Sequence, residues 1–302
     1  MRVVIAGSGD LSRYICEEFA KTAHELIVLT RKHKPHFDRP GVTQFVTDYT
    51  LESVSKGLAD GEVLISTISD CTQSYIDVHR TLLQACQQSS KCKRFIPSEF
   101  AGDVESVPDQ PGFYYRTRDP IRKLLREQSV VEWTLVCVGW LIDYVVPSKN
   151  RYIKDIGDAV PVNLADGRIV IPGTGKEPVD ATWVRDVATA LASLVDAPAW
   201  EPYTFVSGER TCWHDVAKVI KERNPSLTMQ HKSLYDLTEI IRTSKDEDLL
   251  LEVDQQIYSL SYASSMPQDK VQAHRQKYFP GVRFRTLQDG LAEFDGDVNI
   301  IV

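Results

Sequence analysis

The stretch VVIAGSGDLSRYICEEF, Val3 to Phe19, passes from an apolar run through a Gly-Ser-Gly turn into an amphipathic segment. Its expected reading is a buried strand, a tight turn and a helix. Gly7 permits the turn, and Gly9 lets the backbone approach a diphosphate. The helix that follows offers free amides and a positive dipole end. Ser8, Asp10 and Leu11 complete the turn and the first helical positions. Ser12 stands where a GxGxxG pattern has its third glycine, which serves close packing of helix on strand; a small serine weakens the pattern without removing it.

Outward from this corner the first half of the chain keeps one rhythm. Short apolar runs at Arg2–Ala6, Glu25–Thr30, Val42–Val46, Val63–Thr67, Arg94–Pro97 and Trp133–Val138 alternate with helical spacing at Leu11–Ala20, Leu51–Leu58, Ser74–Gln87 and Arg116–Glu127. That alternation predicts βαβ units and an α/β, doubly wound parallel sheet, with ligands at the carboxyl ends of the strands. After Pro147 the pattern changes: Arg151–Gly175 is rich in Gly, Asp and Pro and reads as short strands and turns. The expected division is residues 1–147 and 148–302, with segments near 181–215 returning to the first unit. Ala181–Val195 reads as a helix entered at Arg185-Asp186. Tyr203–Arg223 reads as strand, turn and helix with Thr211 as N-cap, and Ser233–Ala263 as one long helical region.

The chain has 302 residues, 42% hydrophobic and 25% charged, with 35 basic against 42 acidic residues for a net charge of −7. A full core is available, and the charge argues against nucleic acid as a ligand. The apolar window Val130–Val146 carries Glu132 and Asp143 and is too short to span a bilayer, so no membrane partner is expected. The N-terminus enters strand-like sequence without the features of a signal peptide. Six cysteines lack metal spacing and read as reduced thiols, so the expected location is cytoplasmic and no metal is expected.

The second strand ends in Leu29-Thr30-Arg31-Lys32-His33-Lys34 instead of an acid. Arg31 and Lys32 suit the 2′-phosphate of a phosphorylated ribose, which favours NADP(H) over NAD. Asp48-Tyr49 follows the third strand, where an acid can accept from an adenine amino group. Ser66-Thr67-Ile68 closes the fourth strand beside the expected diphosphate and ribose.

RFIPSEFAGD (Arg94–Asp103), taken with IAGSGDLSRYI, VTDYT, LISTI, EWTLVCVGWLIDY and TWVRDVATAL, resembles the NmrA-like and isoflavone-reductase-like branch of the atypical short-chain dehydrogenases, fungal members in particular. The resemblance covers almost the whole chain. It implies a Rossmann-type sheet binding NADP(H) and a smaller C-terminal α+β substrate domain. It carries the phosphate turn onto Gly7, Gly9 and Ser12, the 2′-phosphate arginine onto Arg31, and the element after the fifth strand onto Pro97, Ser98, Glu99 and Phe100. Reductases of the branch carry a lysine four residues before a helix arginine. Here that arginine aligns with Arg122, which puts Arg118 at the lysine position.

Arginine keeps its proton, so Arg118 can hold a carbonyl or stabilise an oxyanion but cannot serve as the acid. Tyr114 lies one helical turn earlier, where a neighbouring cation is expected to lower its pKa. The catalytic candidates are therefore Arg118, Tyr114 and Glu99, and Phe100, Asp103, Trp140 and Tyr144 are expected to line the substrate pocket. The bland alternative pairs Arg118 with Asp119 or Glu127 on a surface helix. Three functions stay open at this point. They are an NADP(H)-dependent oxidoreductase of a hydrophobic aromatic or polycyclic small molecule, a non-redox isomerase using NADP(H) structurally, and an NADP-sensing regulatory protein. The expected state is a monomer or homodimer.

Overall fold

The computed structural model describes residues 1–302. Its first half runs β1 (Arg2–Ala6), α1 (Asp10–Phe19), β2 (Glu25–Thr30), β3 (Val42–Val46), α2 (Leu51–Leu58), β4 (Val63–Ser66), α3 (Gln73–Gln88), β5 (Arg94–Ile96), α4 (Gly112–Arg126), β6 (Glu132–Trp133) and β7 (Leu135–Cys137). All strands of the main sheet are parallel, in the order β3-β2-β1-β4-β5-β6. The chain reverses its direction of winding between β1 and β4, and a crevice opens there beyond their carboxyl ends.

Side chains of β1 alternate between two cores because both faces of the sheet are covered. Val3 and Ile5 join Tyr14, Ile15 and Phe19 of α1 on one face, whereas Val4 and Ala6 join residues of α2, α3 and α4 on the other. Thr50 and Thr72 start α2 and α3 by accepting amide hydrogen bonds from Ser53 and Ser74. Each cap satisfies one of the amides that a helix start leaves without a partner.

The second half contains β8 (Trp140–Leu141), β9 (Val162–Asn163), β10 (Arg168–Pro172), β11 (Pro178–Thr182), α5 (Val184–Leu194), β12 (Tyr203–Phe205), β13 (Glu209–Cys212), α6 (Trp213–Arg223), β14 (Thr228–Lys232), α7 (Leu234–Thr243), α8 (Glu247–Leu260), α9 (Gln268–Tyr278) and α10 (Leu287–Gly296). Two small sheets, β14-β10-β9 and β13-β11-β8, surround a third core built on Trp140, Trp183 and Trp213. The strand read as Trp133–Val138 is interrupted at Thr134: β6 pairs with β5, and β7 pairs in parallel with β12. The Thr134 and Thr204 hydroxyls meet at 2.8 Å across that junction. α5 lies against α1, and its apolar face fills the first core.

Four local readings change. Ala181 and Thr182 belong to β11, and α5 begins at Val184. Cys212, not Thr211, precedes α6, because β13 continues to Cys212 and the His214 amide donates instead to the Gly175 carbonyl at 2.8 Å. The region 233–263 is two helices, since the Asp246 carboxylate accepts from the Asp248 and Leu249 amides and starts α8 afresh. α4 begins four residues before Arg116.

Asp143 joins the halves. It is fully buried after β8; one oxygen accepts from the Val184 amide at the start of α5 (2.9 Å), and the other receives the Tyr14 hydroxyl of α1 (3.4 Å). Burial pushes its carboxyl up to about 7, against the opposing pull of the Val184 amide. The folded chain therefore binds more protons than the unfolded chain between roughly pH 4 and 7, and stability falls as pH rises through that window. Asp143→Asn removes this titration and keeps an oxygen for Val184. Urea denaturation should show the variant gaining on the wild type from pH 4 to 7, by at most about 1.4 kcal/mol per pH unit, with no further gain above.

Candidate functional site

The corner between β1 and α1 is tightly made. Gly7 has φ +110°, and a Cβ there would sit 2.7 Å from Thr67 Oγ1, so a side chain is excluded by both conformation and space. The Ser12 hydroxyl donates to the Gly7 carbonyl at 2.9 Å and lies 2.7 Å from the Thr67 hydroxyl, which donates to Ala6. Ser12 thus fastens the turn to the end of β4, a positive role that the comparison with glycine did not suggest. Gly9 precedes α1, which has no side-chain cap, and a Cβ on Gly9 would meet nothing within 4 Å. Open space therefore fronts an uncapped helix start, with Ser8, Asp10 and Leu11 around it. An anion finds both amide donors and a favourable dipole there.

The basic loop closes on this corner. Lys34 Nζ donates to the Ser8 carbonyl at 2.6 Å, and the Thr30 hydroxyl bonds the Ser8 hydroxyl at 2.9 Å. Arg31 and Lys32 are exposed, and Arg31 borders an open groove with Val46, Thr47, Asp48 and Ser53. Asp48 accepts from the Thr50 amide and hydroxyl, which hold its carboxyl below the usual range. Tyr49 turns inward at φ +63°; its hydroxyl donates to the Leu29 carbonyl at 2.9 Å, and burial pushes it up to about 12. Only its ring stays near the groove, 5.8 Å from the Arg31 guanidinium. Ser66 is buried, with its oxygen receiving the Ile68 amide.

Beyond β5, Pro97 and Ser98 are buried at the strand end, and the Ser98 carbonyl accepts from the Tyr75 hydroxyl at 3.0 Å. Glu99 and Arg122 form a bidentate pair at 3.0 and 2.6 Å, with both side chains 1% exposed. Glu99 is thereby committed to holding α4 and does not face the crevice as a free acid or base.

Arg118 pairs with neither Asp119 nor Glu127. Its guanidinium lies between the rings of Tyr75 (3.8 Å) and Tyr114 (4.0 Å), and His79 stacks on the far face of Tyr75 at 3.7 Å. Nη1 donates to the Asp70 carbonyl and to the Thr117 hydroxyl, and Nε has no partner. Aromatic faces attract the cation and offset part of its desolvation. The expected lowering of Tyr114 does not occur: burial raises its pKa and outweighs the opposing effect of Arg118. Burial likewise pushes His79 down to about 3, so the column carries a single positive charge near neutral pH.

Tyr144 is half-buried, and burial, with the Tyr114 phenol as the next contribution, raises its pKa. Tyr258 of α8 is buried, packs 5.4 Å from Trp140 and also senses Tyr114. Tyr114 and Tyr144 keep part of their surface open, whereas Tyr258 belongs to the third core. Trp140 is buried core, edge-on to Trp213 at 5.6 Å. Phe100 is half-buried at φ +40° against the first core. The Asp103 carboxylate accepts from the Ser106 amide at 3.0 Å. Lys34 fell within the basic run but was not singled out, and Tyr75 and His79, which stack with Arg118, were not foreseen from the sequence. The RKHK run and the Tyr75/His79 spacing of one helical turn were the available signals.

α4 lacks a cap of its own, because Pro111 precedes it and its first turn carries no acid. Asp254 of α8 supplies one: the Phe113 amide donates to its carboxylate at 2.5 Å, and a Cβ on Gly112 would come within 3.3 Å of both its oxygens. This contact explains the early start of the helix. Asp254→Ala should cost about 1 kcal/mol of stability and speed hydrogen exchange at Phe113 and Tyr114 while exchange in α3 stays unchanged.

Residues 2–222 match the model of the NmrA-like family. The chain is 56% identical, over 305 aligned positions and the full length of both proteins, to a protein named oxidoreductase swnR from Arthroderma benhamiae. It is likewise 56% identical to a protein of the same name from Metarhizium robertsii, over 98% of each chain. Among solved structures, the binary complex of leucoanthocyanidin reductase and NADPH from Vitis vinifera superposes with a TM-score of 0.73 at 18% identity, covering 97% of this chain and 99% of that one. At that identity the likeness is one of fold.

Proposed function

The chain belongs to the NmrA-like family, and from that footing we propose that it is an NADP(H)-dependent oxidoreductase acting on a small hydrophobic molecule of aromatic or polycyclic type. The observation that carries the reading is the uncapped start of α1 with open space in front of Gly9. Its 56%-identical relatives are named oxidoreductases, and a structural neighbour of the same fold is a complex with NADPH.

The residues present fit the dinucleotide. Ser8, Gly9, Asp10 and Leu11 would meet its diphosphate through backbone amides, with Ser66, Thr67 and Ile68 on the opposite wall. Arg31 and Lys32 would take the 2′-phosphate, and Lys34 would add positive charge through its bond to Ser8. Asp48 keeps one oxygen outside its turn for an adenine amino group. The bound nicotinamide supplies or accepts a hydride.

The chain's own contribution is positioning and charge. Tyr114 holds its proton at neutral pH, so its hydroxyl can donate to a carbonyl oxygen of a substrate. Arg118, fixed between two rings, puts a permanent positive charge behind that phenol and favours developing negative charge in front of it. Tyr114 and Tyr144, both partly exposed, would give the cleft aromatic surface, which is the basis for an aromatic or polycyclic substrate. One observation favours a second reading: because Arg118 cannot give up a proton, a non-redox rearrangement that needs only charge stabilisation also fits.

Calorimetry should detect NADPH binding that is tighter than NADH binding. Gly9→Ala, allowed at φ −88° with no clash, should leave stability unchanged and weaken NADPH binding about tenfold or more. Wild-type heat absent for both nucleotides would overturn the reading. Arg118→Ala should keep NADPH affinity and lose turnover by about a hundredfold or more. Loss of the NADPH absorbance during turnover supports reduction; product formed without that loss supports the non-redox reading.

A further inference from the structure

Arg31 and Lys32 are exposed just beyond β2, and nothing in the protein fixes where their charges lie. Lys34 differs from both. It is half-buried, its ammonium donates to the Ser8 carbonyl at 2.6 Å, and it pairs with no carboxylate. Ser8 also receives the Thr30 hydroxyl at 2.9 Å, which joins it to the end of β2, the strand end beside which a dinucleotide's adenosine ribose lies. An ammonium has three donors, and Ser8 takes one of them. Two remain for an anion.

A loop lysine gives up backbone and rotamer freedom to keep one place, and another element must offset that cost. Gln44 does so from β3, the edge strand of the sheet. Its Oε1 accepts from the Lys34 amide at 2.9 Å, and its Nε2 donates to the Lys34 carbonyl at 3.0 Å. The side chain thus treats Lys34 as a neighbouring strand would. Nε2 also donates to Asp38 Oδ1 at 2.7 Å, and the same oxygen lies 2.8 Å from His33 Nε2. The amide oxygen and both amide hydrogens of Gln44 are therefore engaged with this one loop. Phe37, 1% exposed, anchors the loop to the first core between these contacts.

We propose that Gln44 is a positioning residue for cofactor choice: it clamps the Lys34 backbone so that the ammonium, held at Ser8, meets the 2′-phosphate of NADP(H) alongside Arg31. Gln44 acts through Lys34. The proposal rests on the cofactor reading above and adds to it the group that makes one cation of the basic loop fixed in place. A charge already in place binds phosphate without a further ordering cost, so the gain goes to the phosphorylated nucleotide alone.

The test measures NADPH and NADH affinity by calorimetry for the full chain and for Gln44→Met, Lys34→Met and the double variant. Each single variant should weaken NADPH binding about tenfold and leave NADH binding unchanged, and the double variant should be no weaker than Lys34→Met. Gln44→Thr, too short to reach Lys34 but suited to an edge strand, should reproduce Gln44→Met. Unchanged NADPH affinity in both Gln44 variants overturns the positioning role and leaves the cofactor reading standing. Equal losses for NADPH and NADH, or losses from Gln44→Met and Lys34→Met that add in the double variant, also overturn it, since they mark a general loosening of the corner. A wild-type chain that binds neither nucleotide overturns the cofactor reading itself, and this proposal with it.

Discussion

Glu99, just beyond the end of β5, and Arg122 of α4 meet inside the protein through two hydrogen bonds. Removing either partner would leave a buried charge uncompensated, at a cost of about 3–5 kcal/mol. The guanidinium also reaches the Pro108 carbonyl, so strand end, connecting loop and helix share one anchor. The phase of α4 follows from that anchor. One turn before Arg122 it sets Arg118 inward, and one turn before that Tyr114, so the cation–aromatic column inherits its position from a pair buried away from solvent.

The second half of the chain acts on the same helix from its other end. Asp254 reaches across from α8 to hold the first turn of α4, and Tyr258 on α8 lies beside Trp140 and senses Tyr114. α4 is therefore held at its start by α8 and nearer its end by Glu99. Asp143 ties α1 to α5 in the same manner, with its charge suppressed by burial. These interactions are polar groups placed where apolar packing alone would not fix an angle or a register.

The parallel sheet and the glycine corner were legible because they rest on local rules. A fully apolar run followed by Gly-Ser-Gly and an amphipathic stretch has few other solutions, and the alternation marks a doubly wound parallel sheet without fixing its strand order. The roles of individual polar residues were not legible, because they depend on partners far away in the chain. Glu99 looked like a candidate acid until its partner proved to be Arg122, 23 residues later. The pKa of Tyr114 was read from the neighbouring cation alone, whereas desolvation, invisible in sequence, decided its direction. Asp254 lies 141 residues from the amide it receives, and no spacing rule connects them. The break at Ser244–Asp246 was missed although its signal is local: Asp246 caps α8 inside a stretch read as one long helical region.

At Thr134 a single residue passes the sheet from β5 to β12, so a strand belonging to the later chain completes the edge of the earlier one. A polypeptide severed near Pro147 would leave the amides and carbonyls of Leu135–Cys137 bare along a hydrophobic margin, an invitation to self-association. The two lobes are thus woven, not appended. Recombination between relatives that exchanges one lobe for another must carry the 203–205 segment with the N-terminal piece, or supply a substitute of equal register.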